Sequence, residues 1–122
     1  MIRTLFFLPF LMAGCSSTRL PTPVERHVDY SADVSPIFKK YCYKCHAAQK
    51  QNGNYRLDVQ EIALKPDVIL LGNSAESPLI HHLIGSHDRS RMPPEKPFLT
   101  DGQIAIVRAW IDQGAIWDET SK

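Results

Sequence analysis

The sequence predicts an all-α domain of about four short helices, and three observations predict it. In four stretches apolar residues recur at helical spacing rather than at the alternation a strand requires. Capping residues, first-turn prolines and trailing glycines bracket those stretches. A Cys-x-x-Cys-His run at 42–46 closes the first of them, where a helical turn would hold its side chains on one side. The chain has 122 residues and a formal charge of +1, with no internal repeat and no low-complexity segment. With no basic excess, nucleic acid is not expected as a partner.

Each element has its own justification. Val34, Ile37, Phe38, Tyr41 and Cys45 share one helical face, and Pro36 is tolerated only in a first turn. A helix should therefore run from about Asp33 into the Cys-x-x-Cys-His run, with Phe38 in the core. A second, at 59–65, has Asp58 to cap it, Glu61 in its first turn and Pro66 to stop it. A third, at 78–84, has Ser77 as N-cap, Pro78 at the first position and Gly85 just past its end. Its apolar residues Leu79, Ile80, Leu83 and Ile84 leave His81 and His82 on the other side, facing solvent. The last helix opens with a Thr100–Gln103 capping box flanked by Leu99 and Ile104 and ends at Gly114. Ile104, Val107, Trp110 and Ile111 form its apolar stripe, Arg108 and Asp112 its solvated face, and Trp110 should pack on the first helix near Phe38.

The run Cys42-Tyr43-Lys44-Cys45-His46 is the spacing of a c-type haem attachment site. Two thiols add across the two vinyl groups of one haem, and the histidine that follows offers an imidazole nitrogen to the iron. One such run implies one covalent haem c. Three other readings fit a bare Cys-x-x-Cys: a redox dithiol, a disulfide, or half of a zinc site completed by two of His46, His81, His82 and His87.

An iron that carries electrons without binding gases needs a sixth ligand, and thioether sulfur is the common choice. Met92 is the sole methionine left once an N-terminal signal carrying Met1 and Met12 is removed, and Pro93 and Pro94 stiffen its loop. His87 and then His27 are the alternatives. Arg56 and Arg91 are candidates for the haem propionates, although a solvated surface position is the more ordinary reading of each.

Residues 1–14 have the form of an export signal: Arg3, the apolar run Leu5-Phe6-Phe7-Leu8-Pro9-Phe10-Leu11-Met12-Ala13, then small residues. That run is short of the ~20 apolar residues of a membrane-spanning helix. Leu11-Met12-Ala13-Gly14-Cys15 is similar to the lipobox of bacterial lipoproteins, which makes Cys15 the expected lipidation site and uses the one cysteine outside the haem motif. Residues 15–28, with Pro21 and Pro23, read as a tether. Residues 29–122 form the domain, thin for an unaided core, so a buried haem would supply much of the missing apolar surface.

Val34-Ser35-Pro36-Ile37-Phe38, Cys42-x-x-Cys45-His46, Tyr55-Arg56-Leu57-Asp58, Ser77-Pro78-Leu79-Ile80, Arg91-Met92-Pro93-Pro94 and Trp110-Ile111-Asp112-Gln113-Gly114-Ala115 stand in order. Over residues 28–118 the chain resembles the Planctomycete-type cytochrome c domain of the class I cytochrome c fold. The resemblance implies helices wrapped around one covalent haem, with His46 and Met92 as axial ligands. It implies an electron carrier rather than an enzyme, exchanging electrons with a donor and an acceptor protein. The family domain is usually part of larger proteins, so a haem subunit of an oxidoreductase is an alternative, as is a gas or peroxide sensor. The expected location is the periplasmic side of a bacterial membrane, lipid-anchored, with the outer membrane favoured because Ser16 rather than an acidic residue follows Cys15.

Overall fold

A computed structural model describes residues 19–86 and 89–118 of the chain. The export signal, Cys15 and His87 lie outside the described residues. Among the described residues four α-helices carry the fold: α1 (Ser35–Tyr41), α2 (Gln60–Ala63), α3 (Pro78–Ile84) and α4 (Asp101–Asp112). A small antiparallel sheet, β1 (His46–Ala47) with β2 (Lys50–Gln51), sits between α1 and α2. The domain is thus mostly helical rather than strictly all-α. Strands of two residues are too short to imprint an alternating pattern on the sequence.

Pro36 decides the form of the first segment. It has no N–H, and its ring would collide with the carbonyl four residues back, so an α-helix cannot run unbroken through 30–41. The chain opens into a π-turn over Tyr30–Val34, in which the Ser35 N–H bonds the Tyr30 carbonyl, and α1 follows with Pro36 in its first turn. The side chain of Asp29 caps the turn by accepting the Ala32 N–H at 2.7 Å. Tyr30, Val34, Ile37 and Phe38 are buried. Phe38 meets Trp110 of α4 edge to face, ring centres 5.8 Å apart, as the sequence led us to expect, and Tyr30 stacks on Trp117 at 4.0 Å.

In α4 the Thr100–Gln103 box is complete, with bonds of 2.9 and 3.2 Å, and Ile104, Val107, Trp110 and Ile111 are buried. Its opposite face is solvated at Asp112, which is exposed, but not at Arg108. Arg108 is only 9 % exposed. Its Nε donates to the Ser74 hydroxyl at 2.9 Å and its Nη1 to the Pro21 carbonyl at 2.6 Å, while Asp112 accepts the Ser74 N–H and hydroxyl at 2.7 and 3.0 Å. The cause is the segment read as a tether. Residues 19–28 lie along α4: Val24 N–H bonds the Ala105 carbonyl, Leu20 and Val24 pack on the core, and Gln113 holds Arg26 and Val28. A hydrogen bond from a charged group contributes about 1.5–3 kcal/mol, so this clasp fixes the segment to the domain.

α2 is shorter than the sequence suggests, and Asp58 does not cap it. Val59 is the N-cap position and supplies no side-chain bond. Asp58 is instead gripped by Arg56 in a two-point fork of 2.9 and 2.6 Å, which holds its carboxyl below the usual carboxylate range. In α3, Ser77 occupies the N-cap position, but its hydroxyl is spent on the preceding turn, accepting from Leu70 N–H and donating to the Asn73 carbonyl. Gly85 closes α3 at φ +69°, a left-handed conformation that glycine adopts without cost.

Candidate functional site

α1 ends at Tyr41 and the chain continues as a tight turn, so the two cysteines follow the helix rather than lie within it. The Cys45 and His46 N–H groups both bond the Cys42 carbonyl, at 3.1 and 2.9 Å. That one turn draws both thiols and the imidazole together, and both thiols are free. His46 opens β1, and its carbonyl receives the Leu57 N–H at 2.8 Å. Its Nδ1 donates to the Tyr55 carbonyl at 3.3 Å. A carbonyl only accepts, so the proton sits on Nδ1 and the Nε2 lone pair is left for a metal, the arrangement that metal-binding histidines share. The Tyr55 hydroxyl in turn donates to the Ala63 carbonyl of α2 at 2.8 Å, and burial raises its pKa. α2 thereby holds the residue that orients His46.

A cavity of about 360 Å³ opens beside this turn. Cys42, Cys45, His46 and Met92 all line it, and Leu57, Val68, Leu79 and Leu83 give it a mainly apolar wall. The residues that sequence reasoning assigned to haem are therefore gathered on one cleft. Burial, and secondarily the neighbouring Cys45, pushes the Cys42 thiol up to about 12. A structural zinc site needs four ligands. Among the described residues no group of three or more His, Cys, Asp or Glu is placed to hold a metal ion. The donor set instead suits haem: two thiols for thioethers, one imidazole, one thioether and an apolar wall.

Residues 42–96 match the model of the family described as Planctomycete cytochrome C. Over those residues, somewhat under half of its length, the chain is similar to a Planctomycete-type cytochrome c domain. No curated protein and no solved structure matches it. The matched stretch begins at Cys42 and ends just past the Met-Pro-Pro segment, so it contains Cys42, Cys45, His46 and Met92. A cytochrome c domain implies covalently bound haem c and a role in electron transfer.

Of the remaining described candidates only His82 reaches the cleft. His81 was expected to face solvent but is 6 % exposed, because the turn before α3 folds over it. Its Nε2 donates to the Ala75 carbonyl at 2.7 Å, which leaves Nδ1 to accept from the Ser86 hydroxyl at 2.6 Å. Neither nitrogen is left for a metal. His82 was also expected in solvent; it is half-buried and lines the cavity. His27 is exposed on the N-terminal segment, away from the residues lining the cavity. Arg56 is committed to Asp58, and the Arg91 guanidinium lies over the Phe98 ring at 4.0 Å. The sequence reading missed the Tyr55 carbonyl as the partner of His46 and missed His82 as part of the wall. Among the described residues no helix is long and apolar enough to cross a membrane.

Proposed function

We propose that the protein is a monohaem electron carrier, in which Cys42 and Cys45 form the thioethers and His46 and Met92 are the axial ligands. The observation that carries this reading is the convergence of those four side chains on one apolar cleft. Haem supplies an iron that alternates between ferrous and ferric. The chain's own residues do the rest. The Tyr55 carbonyl fixes the tautomer of His46, the apolar wall keeps water away and so keeps reorganisation small, and the neutral thioether of Met92 favours the reduced state. The partners are a redox donor and a redox acceptor protein.

The deciding measurement is an optical spectrum of oxidised and reduced protein made in a host that matures cytochromes c. Haem that stays with the denatured chain, together with the red charge-transfer band of ferric His/Met coordination, is the expected result. Haem lost to acidified organic solvent would overturn covalent attachment, and ready carbon monoxide binding by the ferrous protein would favour the sensor or peroxidase reading.

We also propose that the protein is exported, lipid-anchored through Cys15 and held on the periplasmic side of a bacterial membrane, the outer one by preference. The support is the lipobox-like run at 11–15. Stable anchoring takes more than one acyl chain, at ~0.8 kcal/mol per buried CH₂, which a multiply acylated cysteine supplies. Cys15→Ser should move the protein from the membrane to the soluble exported fraction with its haem spectrum unchanged. Retention of the variant on membranes would refute the anchor.

A further inference from the structure

Among the described residues, the segment that carries Met92 is hydrogen-bonded to α3 at one residue, His82, through two bonds. The ring Nδ1 of His82 donates to the Ser90 carbonyl at 2.8 Å, and the His82 carbonyl accepts the Met92 N–H at 2.8 Å. The second bond has a structural cause. α3 ends at Ile84, so its last four carbonyls have no partner within the helix. The His81 carbonyl takes the N–H groups of Gly85 and Ser86, and that of His82 is completed by Met92. The two bonds bracket Arg91, whose Cβ lies 3.2 Å from where a Cβ on Gly85 would stand and whose guanidinium covers Phe98. His82 itself stands on a helix fixed by the buried residues Ile80 and Leu83, and its ring forms part of the cavity wall.

We infer that His82 is the positioning residue of the sixth ligand, the side chain that holds the Met92 segment against α3 so that the thioether stays at the iron. This rests on the reading of His46 and Met92 as axial ligands. Thioether sulfur is a weak ligand, and a weak bond persists only where the chain around it is already held in the bound geometry. Pro93 and Pro94 restrict the backbone after Met92, but they do not fix its distance from α3. The His82 ring bond does, from the other side. The backbone bond survives any substitution at position 82, so the side chain's share can be measured separately.

The test uses the holoprotein and three variants. Asn places its amide where the ring carries Nδ1, and Gln places it near the position of Nε2. His82→Ala and His82→Gln should therefore lose the bond to Ser90, and His82→Asn should keep it. In the first two, the red ferric charge-transfer band should fade at lower temperature. Carbon monoxide should bind the ferrous form, and the Met92 amide should exchange its hydrogen, about three- to tenfold faster, the change in opening expected when one hydrogen bond is lost. His82→Asn should return all three to wild-type behaviour. Variants indistinguishable from wild type, or Asn behaving like Ala and Gln, would overturn the inference. A wild type that lacks the red band would instead overturn the His46/Met92 reading, and that result is seen before any substitution is made.

Discussion

Met92→Ala should strip the ferric protein of its red charge-transfer band, lower its reduction potential and open the ferrous iron to carbon monoxide. Thioether sulfur stabilises the ferrous state, and replacing it with water or a harder ligand moves the potential down within the ~0.8 V range that axial ligands span. The fold should hold, because Met92 is a half-buried loop residue whose backbone bond to His82 does not depend on its side chain. Potentiometry and carbon monoxide titration of variant and parent decide the matter. A parent that already binds the gas, or a Met92→Ala variant with an unchanged potential, would exclude Met92 as the sixth ligand. His87→Ala should alter neither property.

Loss of both cysteines should have the larger effect on the protein itself. Cys42→Ser/Cys45→Ser should yield no covalently held haem, and either single variant should give less holoprotein than the parent. The consequence for folding follows from the cleft. At ~24 cal/mol per Å³, a void of 360 Å³ held open and dry would cost up to ~9 kcal/mol. That is comparable with the whole stability of a typical domain, ~5–15 kcal/mol. The haem-free chain should therefore collapse or loosen around the site, keeping helical far-ultraviolet dichroism while its near-ultraviolet signal fades. A haem-free double variant with native near-ultraviolet dichroism and the parent's melting temperature would show that the domain does not need the haem as core.

What could be read from the sequence was local. The capping box at Thr100 and Pro78 and Gly85 around α3 each lie within a few residues of chain, and each stands where expected, whereas the Cys-x-x-Cys-His run forms a turn just after α1 instead of ending the helix. Met92 was reachable by elimination, and it lines the cleft with the haem motif. The misread faces of α3 and α4 share one cause. A helical wheel assumes a single buried face, and two helices here are covered on a second face by irregular chain. The turn at 73–77 caps His81, and residues 19–28 cover Arg108. Irregular segments of this kind carry no periodicity. The His46 partner was hidden for another reason: it is a backbone carbonyl, which any residue at position 55 would present.

The clasp between Arg108 and Pro21 also sets a leash length. Were 15–28 free, thirteen steps of extended chain would let the domain range ~45 Å from Cys15. With Pro21 clasped to α4, six steps remain, a reach of at most ~21 Å. If Cys15 is acylated as proposed, a carrier tied that short would not shuttle across a compartment. It would take up and release electrons within about its own diameter of one membrane surface, and its donor and acceptor would have to present their redox centres there.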